Sequence, residues 1–182
     1  LNPVLRERMV EFIQYAKERK AIIYYDPNFR KAHAHEAIRL TPTVLDNLEY
    51  ADIVRGSDED FLNLFRKTDP ANVYEENIKF YCHNFITTHG ADGVNLYTDR
   101  FNGHYDSKPI NAISTIGAGD NFNAGIIYGL LKYDVRYKDL QSLDKDTWGK
   151  IIGCGIDLSS EVCQSYNNYI SREFASAYAQ QS

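Results

Sequence analysis

The sequence contains no apolar run long enough to cross a bilayer, so a membrane-spanning protein is not expected. It also lacks an excess of positive charge. Twenty Lys and Arg stand against 25 Asp and Glu, giving a formal net charge of −5, and a general affinity for nucleic acid is therefore not expected. Any anion must instead be met locally, by backbone N–H groups or by a few Arg and Lys. Cysteine is sparse: Cys82, Cys154 and Cys163, with no C-x-x-C pair. That argues against a disulfide frame and for reduced thiols in a cytoplasm. The Walker A pattern G-x-x-x-x-G-K-[ST] is absent. No internal repeat, low-complexity block or linker-like stretch interrupts residues 1–182, so one α/β domain is expected.

What the chain does contain is Ser114 to Leu131, STIGAGDNFNAGIIYGLL. A Gly-Ala-Gly turn opens an apolar helix. A turn without Cβ bulk lets backbone N–H groups approach an anion, and the helix aims its positive dipole end at the same place. Asp120 falls in the first helical turn. A carboxylate there repels an anion but suits a base that takes a proton from a hydroxyl attacking phosphorus. A plainer reading is that Gly117 and Gly119 make a tight turn and Asp120 stabilises a helix start. Gly117 and Gly119 also give the G-x-G of a dinucleotide fingerprint, but Phe122 stands at the third glycine position, which disfavours a nicotinamide oxidoreductase.

Along the rest of the chain, short apolar strands alternate with amphipathic helices. A helix over 2–20 is expected, with Asn2 as N-cap, Pro3 at the first helical position and Val4, Leu5, Phe12, Ile13 and Ala16 on one face. Strands are expected over 21–26 and 51–57, residues 84–99 read as a strand, a Gly-bounded turn and a second strand, and a further strand is expected over 100–108 with Asn102-Gly103 at a turn. Helices are expected from Thr41-Pro42, over 58–67 with Ser57 as cap, over 72–81, and over 144–164. The tail 165–182 is polar and expected to be partly ordered. In the long helix, Phe122, Ile126 and Leu130 share a stripe, and Gly125 and Gly129 allow close packing. This is the pattern of a layered α/β protein. The first helix would ordinarily follow a parallel strand, and none precedes it. The sequence therefore reads as the later part of a longer protein.

Three more segments join the Gly-Ala-Gly turn: DPNFR (26–30), ADIVRGSDEDF (51–61) and TTHGADGV (87–94). Together with STIGAGD they resemble, in order and spacing, the D-x-N-x-R, N-x-x-E, T-x-G-x-x-G and D-T-x-G-A-G-D segments of the ribokinase-like (PfkB) carbohydrate kinases, fructokinase-like branch. The resemblance implies a layered α/β/α Rossmann-like ribokinase fold with a mostly parallel central sheet, the N-terminal part and lid being absent. It implies ATP-dependent phosphorylation of a sugar, with fructose or a related hexose first, and ribose, a nucleoside or a keto-deoxy sugar acid as alternatives. It gives Asp120 the role of catalytic base. Gly117, Ala118 and Gly119 would form the anion hole. Thr88, Gly90 and Gly93 would line the nucleotide path, and Asn28 and Arg30 would face phosphates or substrate. Plainer readings stand beside these: Arg30 as an ion pair with Asp26 or Glu36, Gly90 and Gly93 as a hairpin turn, Asn28 as a turn residue.

The sequence also departs from the family. Ser114 replaces the Asp linked in many members to a monovalent cation, so dependence on such a cation stays open. Ser57 and Asp60 replace Asn and Glu, and Asp60 keeps the charge for indirect support of Mg²⁺ through water. Expected partners are ATP and a sugar, with no nucleic acid or membrane, and a homodimer of the full-length protein through the absent sheet. The competing reading is a nucleotide-binding or regulatory relative without turnover. This truncated chain alone is expected to be inactive.

Overall fold

A computed structural model describes residues 3–180. The chain divides into two compact units. The first runs to His89 and adds Val94–His104 and Arg136–Gln141; the second comprises Gly90–Gly93, Tyr105–Val135 and the chain from Ser142 on.

The first unit opens with α1 (Pro3–Glu18), β1 (Tyr24–Tyr25) and α2 (Ala37–Leu48). It continues through β2 (Ile53–Ser57), α3 (Asp58–Phe65), α4 (Pro70–Val73), β3 (Phe85–Thr88), β4 (Val94–Tyr97) and β5 (Asn102–Tyr105). The sheet order is β1-β2-β3-β4-β5. Strands β1, β2 and β3 are parallel, with Ser57 opposite Thr88 at the carboxyl end, and β4 runs antiparallel to β3. The buried runs in β2 and β3 follow from cover on both faces, as parallel strands require. Val54, Phe61, Tyr74, Ile78 and Phe85 form one core with Leu48 and Val73. The rings of Phe61 and Phe85 meet edge to face at 5.0 Å.

Several expectations need correction here. The strand expected over 21–26 is reduced to two residues. The second helix does not open at Thr41-Pro42: Pro42 lies inside α2, where Thr41 Oγ1 donates to the Ala37 carbonyl at 2.7 Å. The helix expected over 72–81 starts at Pro70, capped by the Asp69 side chain, and widens into a π-turn over Tyr74–Ile78. Asn102 and Gly103 lie within β5 and make no turn. On α1, Leu5 and Phe12 are exposed while Val10, Ile13 and Ala16 are half-buried, so the inward stripe is rotated from the expected one. The Asn2 cap and the side chain of Val4 lie outside the described residues. Ser57 does cap α3, as expected.

The second unit holds α5 (Ala118–Lys132), α6 (Lys145–Val162) and α7 (Arg172–Gln180). The expected stripe of Phe122, Ile126 and Leu130 is buried, together with Trp148, Ile151, Ile152 and Leu158 of α6. Helices α5 and α6 pack backbone to backbone. A Cβ on Gly125 would meet the Cys154 carbonyl and stand 2.6 Å from Gly155 Cα; one on Gly129 would stand 3.0 Å from Ile151 Cα. Alanine at either position would overpack this seam. The tail supplies α7, whose Tyr178 hydroxyl donates to Asp157 Oδ2 at 2.7 Å.

Candidate active-site residues

In the first unit the candidate residues lie at the carboxyl ends of the parallel strands, the edge where open α/β sheets place ligands. Asp26 follows β1, Ser57 ends β2 and Thr88 ends β3. Arg55 ties them together. This arginine is 7% exposed, in the middle of an apolar strand. Its Nη1 donates to Asp26 Oδ2 at 2.9 Å and its Nη2 to Thr88 Oγ1 at 2.6 Å. Asp26 Oδ1 in turn accepts from the Asn28 backbone N–H at 2.9 Å, an Asx turn that holds Asn28 at φ +43. Arg30 Nε donates to Asn28 Oδ1 at 3.2 Å.

Arg30 thus pairs with neither of the acids considered for it. Asp26 is engaged by Arg55, and Glu36 by Arg39 and His33. Burial pushes the Tyr24 phenol beside this network well above its ordinary range, against the pull of Arg55. Phenolate is therefore not available here.

Asp60 stands at the third position of α3 and is 7% exposed. Its Oδ2 accepts from Ser57 N at 2.8 Å and Ser57 Oγ at 2.7 Å, while its own N–H donates to Ser57 Oγ at 3.2 Å. This is a complete capping box. One oxygen of Asp60 is thereby committed to the helix start, and Oδ1 is left as an acceptor.

In the second unit, Thr115 to Ala118 forms a tight turn. Gly117 sits at φ +82, ψ −2, the third position of a type II turn, and the Ala118 N–H donates to the Thr115 carbonyl at 3.2 Å. A Cβ at Gly117 would also stand 2.8 Å from the Asn168 carbonyl. Glycine is required there twice over. Asn121 locks the turn from below, its Nδ2 donating to Gly117 O at 2.9 Å and Asn168 O at 3.0 Å.

The three anion-hole candidates therefore differ. Among the described residues, the N–H groups of Gly117 and Gly119 meet no protein acceptor, whereas that of Ala118 is taken by the turn itself. Asp120 occupies the third position of α5, exposed and without a hydrogen bond or ion pair among the described residues. Ser114 Oγ accepts from the Ile116 N–H at 3.2 Å. Gly90 (φ +56) and Gly93 (φ +97) bound a single 3₁₀ turn on the connection from β3 to β4. The Gly90 carbonyl accepts from Ser107 Oγ at 2.7 Å.

Sequence reasoning missed three positioning residues. A charged side chain inside the buried run IVRGS was the available signal for Arg55. Asn121 was hidden by its place in an apolar helix, and Asn168 contributes only a backbone carbonyl, which no side-chain pattern marks.

The family model described as pfkB family carbohydrate kinase matches residues 1–171, and the chain belongs to this family. Among curated proteins it is 33% identical over 117 residues to "Probable fructokinase-6, chloroplastic" of Arabidopsis thaliana, covering 62% of this chain and 30% of that protein. It is 28% identical over 147 residues to the fructokinase of Solanum tuberosum, covering 74% and 41%. The chain thus spans well under half the length of these relatives. Among solved structures, the fructokinase of Vibrio cholerae O395, with fructose, ADP and calcium bound, superposes with a TM-score of 0.79 at 22% identity, over 98% of this chain and 56% of that one. The fructokinase of Xylella fastidiosa with bound ATP gives 0.78 at 20% identity, over 96% and 57%. At these identities the superpositions establish the ribokinase-like α/β fold.

Proposed function

We propose that the full-length protein is an ATP-dependent sugar kinase that transfers the γ-phosphoryl group to a hydroxyl of fructose or a related hexose. The observation that carries this reading is the start of α5: a left-handed glycine and, among the described residues, two N–H groups without protein acceptors and an unengaged carboxylate, all within four residues. Fructokinases among the curated relatives support a hexose acceptor.

In this reading Asp120 orients the acceptor hydroxyl and takes its proton as the oxygen attacks phosphorus. The Gly117 and Gly119 N–H groups, at the positive end of α5, meet the charge on the transferred group. Ala118 joins them only if its bond to Thr115 opens. Thr88, Asn28 and Arg30 face the nucleotide or substrate from the sheet edge. Asp60 fits an indirect role toward Mg²⁺, because Oδ1 remains to accept from a metal-bound water. A bound Mg²⁺ would offset the charge of the nucleotide phosphates. Positioning and electrostatics then supply the catalysis, with little covalent work from the protein. A cytoplasmic location belongs to the same proposal, resting on three buried free thiols.

The test is a phosphoryl-transfer assay of the full-length protein over fructose, glucose, ribose, a nucleoside and a keto-deoxy sugar acid. Turnover greatest on fructose is expected. ATP binding without turnover on any acceptor would replace the kinase reading with a regulatory one.

A further inference from the structure

The cation at the sheet edge fixes the direction of the hydrogen bonds around it. A guanidinium only donates. Thr88 Oγ1, receiving Arg55 Nη2 at 2.6 Å, is therefore an acceptor toward the protein, and its own O–H proton is directed elsewhere. Asp26 is engaged on both oxygens, by Arg55 and by the Asn28 N–H. Asn28 Oδ1 accepts from Arg30 Nε, which assigns the amide oxygen and leaves Nδ2 as a donor. Arg30 is exposed and keeps its terminal N–H groups.

We propose that Arg55 is a positioning residue that turns the carboxyl edge of the sheet into a row of donors (the Thr88 hydroxyl, the Asn28 amide and the Arg30 guanidinium) matched to the phosphoryl oxygens of a nucleoside triphosphate. This rests on the kinase reading and deepens it. Arg55 touches no substrate; it acts by making Thr88 Oγ1 an acceptor on its own side, so that the hydroxyl proton is left for another acceptor, and by holding Asp26, which in turn shapes the Asn28 turn. With its charge removed, Asp26 would lose its cation and draw the Thr88 hydroxyl proton to itself, and one donor of the row would be lost.

The experiment measures ATP KM and kcat of the full-length protein, its Arg55→Met, Arg55→Lys, Thr88→Val and Thr88→Ser variants, and the Arg55→Met/Thr88→Val pair. Arg55→Met is expected to raise the ATP KM by about tenfold or more, the loss of a charge-assisted bond. Arg55→Lys, also donor-only, is expected to recover most of it. In the Thr88→Val background Arg55→Met should add less than about threefold, because both changes remove the same proton. Fully multiplicative effects would overturn the proposal, as would an Arg55→Met KM within about twofold of the parent. If Arg55→Met does not fold, the Thr88 pair decides: Thr88→Ser should stay within about twofold and Thr88→Val should not. Equal KM values for the two would overturn it. A parent protein that neither binds nor turns over ATP would defeat the kinase reading, and this proposal with it; an active parent with an indifferent Arg55 would defeat this proposal alone.

Discussion

Two helices of this protein carry an aspartate at the same third position, and the two aspartates have opposite fates. In α3, Ser57 and Asp60 close the N-terminus with a reciprocal capping box, and the carboxylate is buried against its own cap. In α5, the cap is a left-handed glycine without a side-chain bond, and Asp120 is exposed and unengaged. The first arrangement spends its donors and its acid on the fold. The second leaves both without a protein partner among the described residues. Helix α6 belongs with the first, since Asp144 caps it by accepting from the Thr147 N–H at 2.7 Å. In these two helices the residue three places before the acid decides whether the acid is held by the cap: Ser57 captures Asp60, and Gly117 has no side chain with which to hold Asp120.

The comparison breaks most directly at Asp120. Asp120→Asn should lower kcat of the full-length protein by about a hundred- to ten-thousand-fold while calorimetry shows nearly unchanged nucleotide binding. Unchanged turnover would place α5 with α3 as a structural start. Next in size, Gly117→Ala should destabilise the protein by about 1–3 kcal/mol, read as a lower urea midpoint, because Cβ meets both the left-handed backbone and the Asn168 carbonyl. Ser57→Ala removes one half of the box and should cost about 1 kcal/mol on the same urea scale. The smallest effect is acid-dependent. The backbone bond from Thr147 holds the Asp144 carboxyl below its ordinary value of 3.8. A carboxylate depressed in the fold stabilises above its unfolded pKa and loses that contribution as pH falls through the folded one. The stability difference between the parent and Asp144→Asn, which caps without ionising, should therefore shrink as urea midpoints are followed from about pH 5 down to pH 2.

The α5 start was legible in the sequence because backbone conformation is encoded locally: Gly117 must be glycine, and its neighbours appear beside it in the chain. The capping of α3 by Ser57 was legible for the same reason. The Arg55 network was not, because its partners Asp26 and Thr88 are 29 and 33 residues away. Only the strand register that sets Ser57 opposite Thr88 brings them together. The corrected boundaries fail in an equally physical way. Pro42 reads as a helix start, yet the helix begins a turn earlier and carries the proline inside its first turns. Asn102-Gly103 reads as a turn, yet sheet pairing overrides that local preference.

The seam between α5 and α6 has one more consequence. Where Gly125 lies against Cys154 and Gly155, main chain rests on main chain, with no rotamer between them to act as a cushion. Helix α5 is therefore keyed to α6 like a rod in a fitted sleeve. The placement of Asp120, five residues up the same rod, is governed by a notch made of main chain alone.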